Sequence, residues 1–143
     1  MRKSELMTLW NVESWSVEPY GVYFVSRRLG TNCLENVGQA FQKLNISCTN
    51  YTEAEVLSLP MWEQLYTQLD ALDQLAQELI QKEIPQEESI VLTLTDIMLD
   101  KSGCYDAFAL GYDVGESPAG HLYVLAPFDE NFTAQQDVIY ETL

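Results

Sequence analysis

The chain has 143 residues, of which 22 are Asp or Glu and only seven are Lys or Arg, so its formal net charge at pH 7 is −15. A hydrophobic fraction of 47% is typical of a folded globular domain and excludes a disordered tail. Nucleic acids and anionic membranes need Lys and Arg to neutralise their phosphates, so we expect neither as a partner.

The negative charge is concentrated towards the C-terminus. Residues 1–28 carry a net charge of +1, residues 29–82 carry −5 and residues 83–143 carry −11. Such a field either keeps the protein soluble or attracts a basic partner, whose association it would accelerate by roughly 10–1000-fold. The composition leaves both interpretations open.

The N-terminus does not predict export. Met1-Arg2-Lys3 could begin a signal peptide, but the polar residues that follow, including Glu5 and Glu13, leave no apolar segment. No apolar stretch approaches the roughly 18 residues of a membrane span. We therefore expect a cytoplasmic protein.

The first third of the chain predicts one strand and one helix. Residues 1–20 show no sustained periodicity. Gly21–Ser26 is rich in β-branched and aromatic residues and predicts a strand. A shorter N-terminal helix is predicted over Cys33–Leu44, because Asn32 can cap it and Glu35 completes a capping box.

Two more helices are predicted in the middle of the chain. Thr52 and Glu55 repeat the capping pattern and predict a short helix that ends near Ser58. A long amphipathic helix is predicted from Pro60 to Lys82, because its apolar residues recur every three or four positions. These residues are Trp62, Leu65, Tyr66, Leu69, Leu72, Leu75, Ala76, Leu79 and Ile80.

Beyond Pro85 the apolar residues alternate, which predicts strands. The predicted strands are Ser89–Leu99, Tyr105–Asp113, His121–Phe128 and Ala134–Glu141. A turn at Asp100–Gly103 and a loop at Val114–Gly120 join the first three, as in an antiparallel meander. We expect one α+β domain over residues 1–143, in which the long helix covers one face of the meander. Strand order, and whether the N-terminal strand joins the same sheet, stay open.

Few residues offer catalytic chemistry. His121 is the only histidine, and its strand parity places it with Tyr123 on the face opposite Val124. Cys104 would form a dyad with His121 only if the meander brought the two together. The cysteines show no metal-binding spacing, and phosphate-binding glycine motifs are absent. We expect no enzyme, no cofactor and no metal. Retained biological activity of His121→Ala and Cys104→Ala variants would exclude a catalytic alternative.

The C-terminal half carries short patterns that suggest a family. The long acidic helix leads into Ile90-Val-Leu-Thr-Leu94, Ala107-Phe-Ala-Leu-Gly-Tyr-Asp113, Gly120-His-Leu-Tyr-Val124 and Phe128-Asp-Glu-Asn131. Over residues 60–141 this layout resembles a group of small, uncharacterised bacterial α+β proteins, some of which are regarded as immunity proteins of toxin systems. The resemblance implies an α+β fold and protein binding. It carries over no functional residue.

Charge and resemblance together predict an inhibitor or immunity-type protein that neutralises a basic partner. The predicted binding residues lie in the meander and its loops, namely Asp106, Tyr112, Asp113, Glu116, Asp129 and Glu130. Exposed tyrosines such as Tyr112 or Tyr123 are expected to anchor the partner, because aromatic residues dominate binding hot spots. The alternatives are a structural or phage-encoded adaptor that is acidic only for solubility, and a DNA mimic that occupies a DNA-binding protein.

Overall fold

The computed structural model describes residues 1–29, 41–83, 92–103, 107–117, 120–135 and 137–142. In chain order the elements are α1 (Lys3–Leu9), β1 (Val12–Glu18), β2 (Gly21–Leu29), β3 (Phe41–Thr49), α2 (Glu53–Ser58), α3 (Trp62–Glu83), β4 (Thr93–Asp100), β5 (Phe108–Ser117), β6 (Gly120–Phe128) and β7 (Ile139–Thr142). The protein is therefore α+β, as predicted. No helix of the described segments is long and apolar enough to cross a membrane.

The strands form one seven-stranded sheet in the order of the chain, from β1 to β7. All neighbours are antiparallel except β3 and β4, which pair in parallel. A parallel pair needs a long crossover connection, and here α2 and α3 lie between the two strands. The sheet thus joins an N-terminal three-stranded meander to the predicted C-terminal meander, which settles the place of the N-terminal strand.

Helix α2 begins as the sequence predicts, and α3 begins at Trp62 rather than at the predicted Pro60. The Thr52 side chain accepts from the Glu55 backbone amide and the Glu55 carboxylate accepts from the Thr52 amide, so the predicted capping box starts α2. The indole of Trp62, the first residue of α3, donates to the Val56 carbonyl oxygen over 2.8 Å. This bond ties the two helices together.

The hydrophobic core combines residues from one stripe of α3 with alternating residues of the strands. Trp62, Leu65, Leu69, Leu72, Ala76 and Ile80 of α3 belong to the same buried cluster as Ile46, Ile97, Leu110, Tyr112 and Val124 of the sheet. We call the side of the sheet that carries these five strand residues the core side. Burial of this stripe, rather than helix propensity alone, stabilises α3.

The helix predicted over Cys33–Leu44 is wrong at its C-terminal end. Residues 41–44 belong to β3, in which Leu44, Ile46 and Cys48 are buried at every second position. Pairing with β2 and burial of Leu44 in the core override the local helical pattern. Residues 33–40 lie outside the described part of the chain. The short N-terminal helix of the structure is α1, which the sequence analysis did not predict.

The predicted loop over Val114–Gly120 is also wrong in part. Strand β5 continues to Ser117 and pairs with β6 as far as Gly120. The register shifts between Asp113 and Gly115, and Gly115 has a φ of +104°, which a residue with a side chain rarely adopts. The glycine therefore marks a bulge within a hairpin rather than the start of a loop.

Candidate functional site

Strand pairing assembles two neighbouring rows of side chains on the side of the sheet opposite the core. The first row is Asn45, Asp96, Gly111 and Leu125, on β3 to β6. The second row is Thr93, Asp113, Tyr123 and Glu141, on β4 to β7. Directly paired residues point to the same face of a sheet. We call the face that carries these two rows the cavity face.

A cavity of about 300 Å³ opens on this face. It is lined by Asn45, Asp96, Met98, Tyr123, Leu125 and Glu141. Gly111 lies between Asp96 and Leu125, and a Cβ atom there would come within 3.0 Å of the Asp96 Cβ and 3.1 Å of a Leu125 methyl group. The missing side chain of Gly111 therefore lets Asp96 and Leu125 approach each other across β5.

Asp96 is a half-buried acid of the cavity face. Its carboxylate accepts from the Thr95 hydroxyl over 2.8 Å and also from the Asn45 side chain. Burial raises the pKa of Asp96 above its ordinary value of 3.8, and the nearby negative charge of Asp113 raises it further. The two hydrogen bonds oppose this shift. Half-buried acids with perturbed pKa values are typical of functional sites.

Asp113 and His121 form a polar pair beside the cavity. His121 Nε2 lies 2.7 Å from Asp113 Oδ1, which also accepts from the Gly115 amide over 2.9 Å. The imidazole ring lies 4.9 Å from the Tyr123 ring, centroid to centroid, so His121 shares a face with Tyr123 as its strand parity predicts. These contacts fix the position of Asp113 at the edge of the cavity.

Tyr112 is not an exposed anchor, and that prediction is wrong. Its side chain lies on the core side and is fully buried. The Tyr112 hydroxyl donates to the Asp73 carboxylate on α3, which also accepts from Gln77 over 3.0 Å. Burial, together with the charge of Asp73, raises the pKa of Tyr112. The alternation that puts Phe108 and Leu110 in the core puts Tyr112 there as well.

The remaining predicted binding residues do not form one surface. Asp113 lies on the cavity face, whereas Asp129 and Glu130 lie in the turn after β6. Asp129 accepts from the Asn131 and Thr133 amides, both over 2.9 Å, and so stabilises that turn. Tyr123, which pairs with Asp113, is six residues from Asp129, or about 20 Å along an extended strand.

Two other predicted binding residues have no described side chain. Glu116 lies in β5, one residue before the end of the strand, but its side chain is outside the described part of the molecule. Asp106 and Cys104 lie outside the described residues altogether. The described site therefore retains only Asp113 and Tyr123 of the residues that the sequence analysis considered for binding.

Sequence reasoning missed Asn45, Asp96 and Glu141. Asp96 carried a usable signal, because it is a carboxylate in the middle of the otherwise apolar and Thr-rich strand β4. A buried charge in such a strand is unusual unless it is paired or functional. Asn45 carried no such signal, since the register that places it beside Asp96 comes from a parallel pairing with a strand 50 residues away.

A larger cavity of about 590 Å³ lies beside α3. Its described lining comes from that helix alone and includes Asp70, Asp73 and Glu78 with three glutamines. The Asp73 carboxylate already accepts hydrogen bonds from Tyr112 and Gln77, so its role in this groove is structural. The sheet cavity combines groups from four strands and is the better candidate.

Metal binding has no support among the described side chains, which include no group of three His, Cys, Asp or Glu residues able to hold an ion. Comparison of the chain with protein-family models, curated proteins and solved structures found no match. The geometry and charge of the cavity face are therefore the basis for assigning a function.

Proposed function

We propose that α3 covers the core side of the sheet and that the cavity face binds a basic protein, so that the chain acts as an inhibitor or immunity-type protein. The observation that carries this proposal is the cavity around Asp96. Partial desolvation and the nearby charge of Asp113 both disfavour an ionised Asp96, and a cation that approached it would offset both effects.

The charge of the whole chain supports the same function. A net charge of −15 attracts basic surfaces from a distance, and complementary charge mainly raises the association rate and the specificity. On the cavity face Asp96, Asp113 and Glu141 lie on β4, β5 and β7. A basic cleft or loop laid across β4 to β7 would meet all three carboxylates.

Affinity capture with tagged protein from a lysate of its own cells tests this function. We expect one basic protein in stoichiometric amount, with less recovered at high salt because salt screens the charges. An Asp96→Asn, Glu141→Gln double variant should lose most of that partner. A matched Glu18→Gln, Glu63→Gln variant removes the same charge from two exposed positions, on β1 and on α3.

Two results would overturn the proposal. One is equal recovery of the partner by both double variants, which would show that total charge and not the cavity face governs binding. The other is a partner that binds with the same affinity at low and high salt. Circular dichroism spectra of the variants would show that any loss of binding is not a loss of fold.

Exposed apolar residues favour the second candidate function, a structural adaptor. Val17 and Tyr20 are 56% and 76% exposed at the β1–β2 hairpin, and Tyr140 is 48% exposed on the edge strand β7. An adaptor would use such residues for self-association or assembly. Light scattering over a concentration series separates the two functions, because the inhibitor remains monomeric until its basic partner is added.

A further inference from the structure

We propose that the sheet cavity receives one arginine side chain of the protein partner, with Asp96 and Glu141 contacting its guanidinium group. This inference deepens the proposed function and rests on it. It assigns the cavity, rather than the whole acidic surface, as the centre of the interface. Binding energy at interfaces is commonly concentrated in a few anchors that fill pockets, and arginine is among the most frequent of them.

The carboxylate of Asp96 can accept further hydrogen bonds from a ligand. Thr95 and Asn45 each donate one hydrogen bond to it. An ionised carboxylate has about four acceptor sites, which leaves about two for an incoming group. A guanidinium group presents several N–H donors in one plane and suits a carboxylate better than a single donor does.

The other walls of the cavity match the rest of an arginine side chain. Met98 and Leu125 provide apolar surface that can pack against its methylene groups. Tyr123 provides an aromatic ring, and its direct pairing with Glu141 places ring and carboxylate side by side. Guanidinium groups stack on aromatic rings while they bind carboxylates.

The size of the cavity favours a side chain over a whole metabolite. A volume of about 300 Å³ is at the lower limit for sites that bind small organic ligands. Lysine fits less well than arginine, because its ammonium group is strongly hydrated and offers no flat surface to Tyr123. The net charge of −15 attracts basic chains to the protein as a whole.

Titration of 15N-labelled protein with N-acetyl-arginine-methylamide at low salt tests the inference directly. We expect saturable shifts in the millimolar range, confined to the amides around Asp96, Gly111, Tyr123 and Leu125. The lysine analogue should bind at least about threefold more weakly. The citrulline analogue, which has the same shape without the charge, should cause no saturable shift at this face.

Variants provide the second arm of the test. Asp96→Asn should weaken arginine binding about tenfold or more, as expected for the loss of a charge-assisted hydrogen bond. Tyr123→Leu should weaken it less, and the matched Glu63→Gln control should leave it unchanged. Equal shifts with citrulline, or shifts spread over the acidic surface, would overturn the inference.

Failure of this inference is distinguishable from failure of the proposed function. If a basic protein is captured through the cavity face but the arginine analogue binds elsewhere or not at all, only the arginine anchor is wrong. The opposite result is that the arginine analogue binds in the cavity but no basic protein is captured through the cavity face. In that case the arginine pocket is confirmed and the inhibitor function is wrong.

Discussion

Acidic side chains on the two sides of the sheet have different surroundings. On the core side, Asp73 of α3 is 6% exposed and accepts from Tyr112 and Gln77, so its carboxylate is part of the packing between helix and sheet. On the cavity face, Asp96 is held by Thr95 and Asn45 but borders an open cavity, and burial raises its pKa. One acid is enclosed by its partners, whereas the other keeps a side open.

This difference separates a structural acid from a candidate binding residue. An enclosed carboxylate whose partners come from the same protein lowers the free energy of the fold, and breaking such a pair destabilises it. A half-buried carboxylate that borders a cavity is held at some cost to stability, which a protein tolerates where function needs it. Three pairs of variants, one residue from each side, test this comparison.

The largest contrast is expected for thiol reactivity in β3. Burial raises the pKa of Cys48 to about 12, so its thiol should react only when the core opens. Ser47 is only partly buried and points to the other side of the strand. In a Cys33→Ser, Cys104→Ser background, a thiol reagent should label Ser47→Cys at least about 100-fold faster than Cys48, since each 1.4 kcal/mol of opening free energy slows labelling tenfold.

This labelling experiment has an internal control. Ser47→Cys should be combined with Cys48→Ser so that only one thiol is present in each protein. In denaturant both thiols should react at similar rates. Comparable rates in the native protein would show that the two sides of β3 do not differ in burial.

A smaller contrast is expected between two tyrosines on neighbouring strands. Tyr112→Phe removes the hydroxyl that donates to Asp73, and hydrogen bonds to charged groups contribute about 1.5–3 kcal/mol. Tyr123→Phe on the cavity face should change stability by no more than about 0.5 kcal/mol. Urea denaturation measures both free energies of unfolding, and equal losses would contradict the assignment of Tyr112 to the core.

The smallest effect, and one of opposite sign, is expected at Asp96. Its folded pKa is raised, so the unfolded chain ionises first and the protein loses stability as pH rises from about 3.8 through the folded pKa. Asn carries no charge, so Asp96→Asn should be more stable than the wild type at pH 7. The gain should vanish below pH 3.8, and it should be smaller than the Tyr112→Phe loss.

Thermal unfolding of Asp96→Asn and Asp73→Asn between pH 3 and pH 8 checks this sign. Glu141 lines the same cavity as Asp96, so the same scan on a Glu141→Gln variant shows whether the change belongs to Asp96 or follows from removing any acid of the cavity face. Asp73→Asn should lower the unfolding temperature, because the Tyr112 hydroxyl loses a charged acceptor. A lower unfolding temperature for Asp96→Asn at pH 7 would show that Asp96 is structural as well.

Local order was readable from the sequence wherever neighbouring residues determine it. The capping pair Thr52 and Glu55 and the apolar stripe of α3 each lie within a few residues, and the structure confirms both helices. The alternation in β5 and β6 likewise put Leu110 and Val124 in the core. The acidic composition, which needs no structure, predicts that nucleic acid and anionic membranes are not partners.

Contacts between distant segments were decided by the tertiary structure alone. The sequence placed Leu44 in a helix, but pairing with β2 and burial in the core make that segment part of strand β3. The parallel register then brings Asn45 beside Asp96. Because Gly111 has no side chain, Leu125 can approach Asp96 across β5. Periodicity reports which face a residue takes within its own strand. It does not report which strand lies beside it, and the cavity is made of those neighbours.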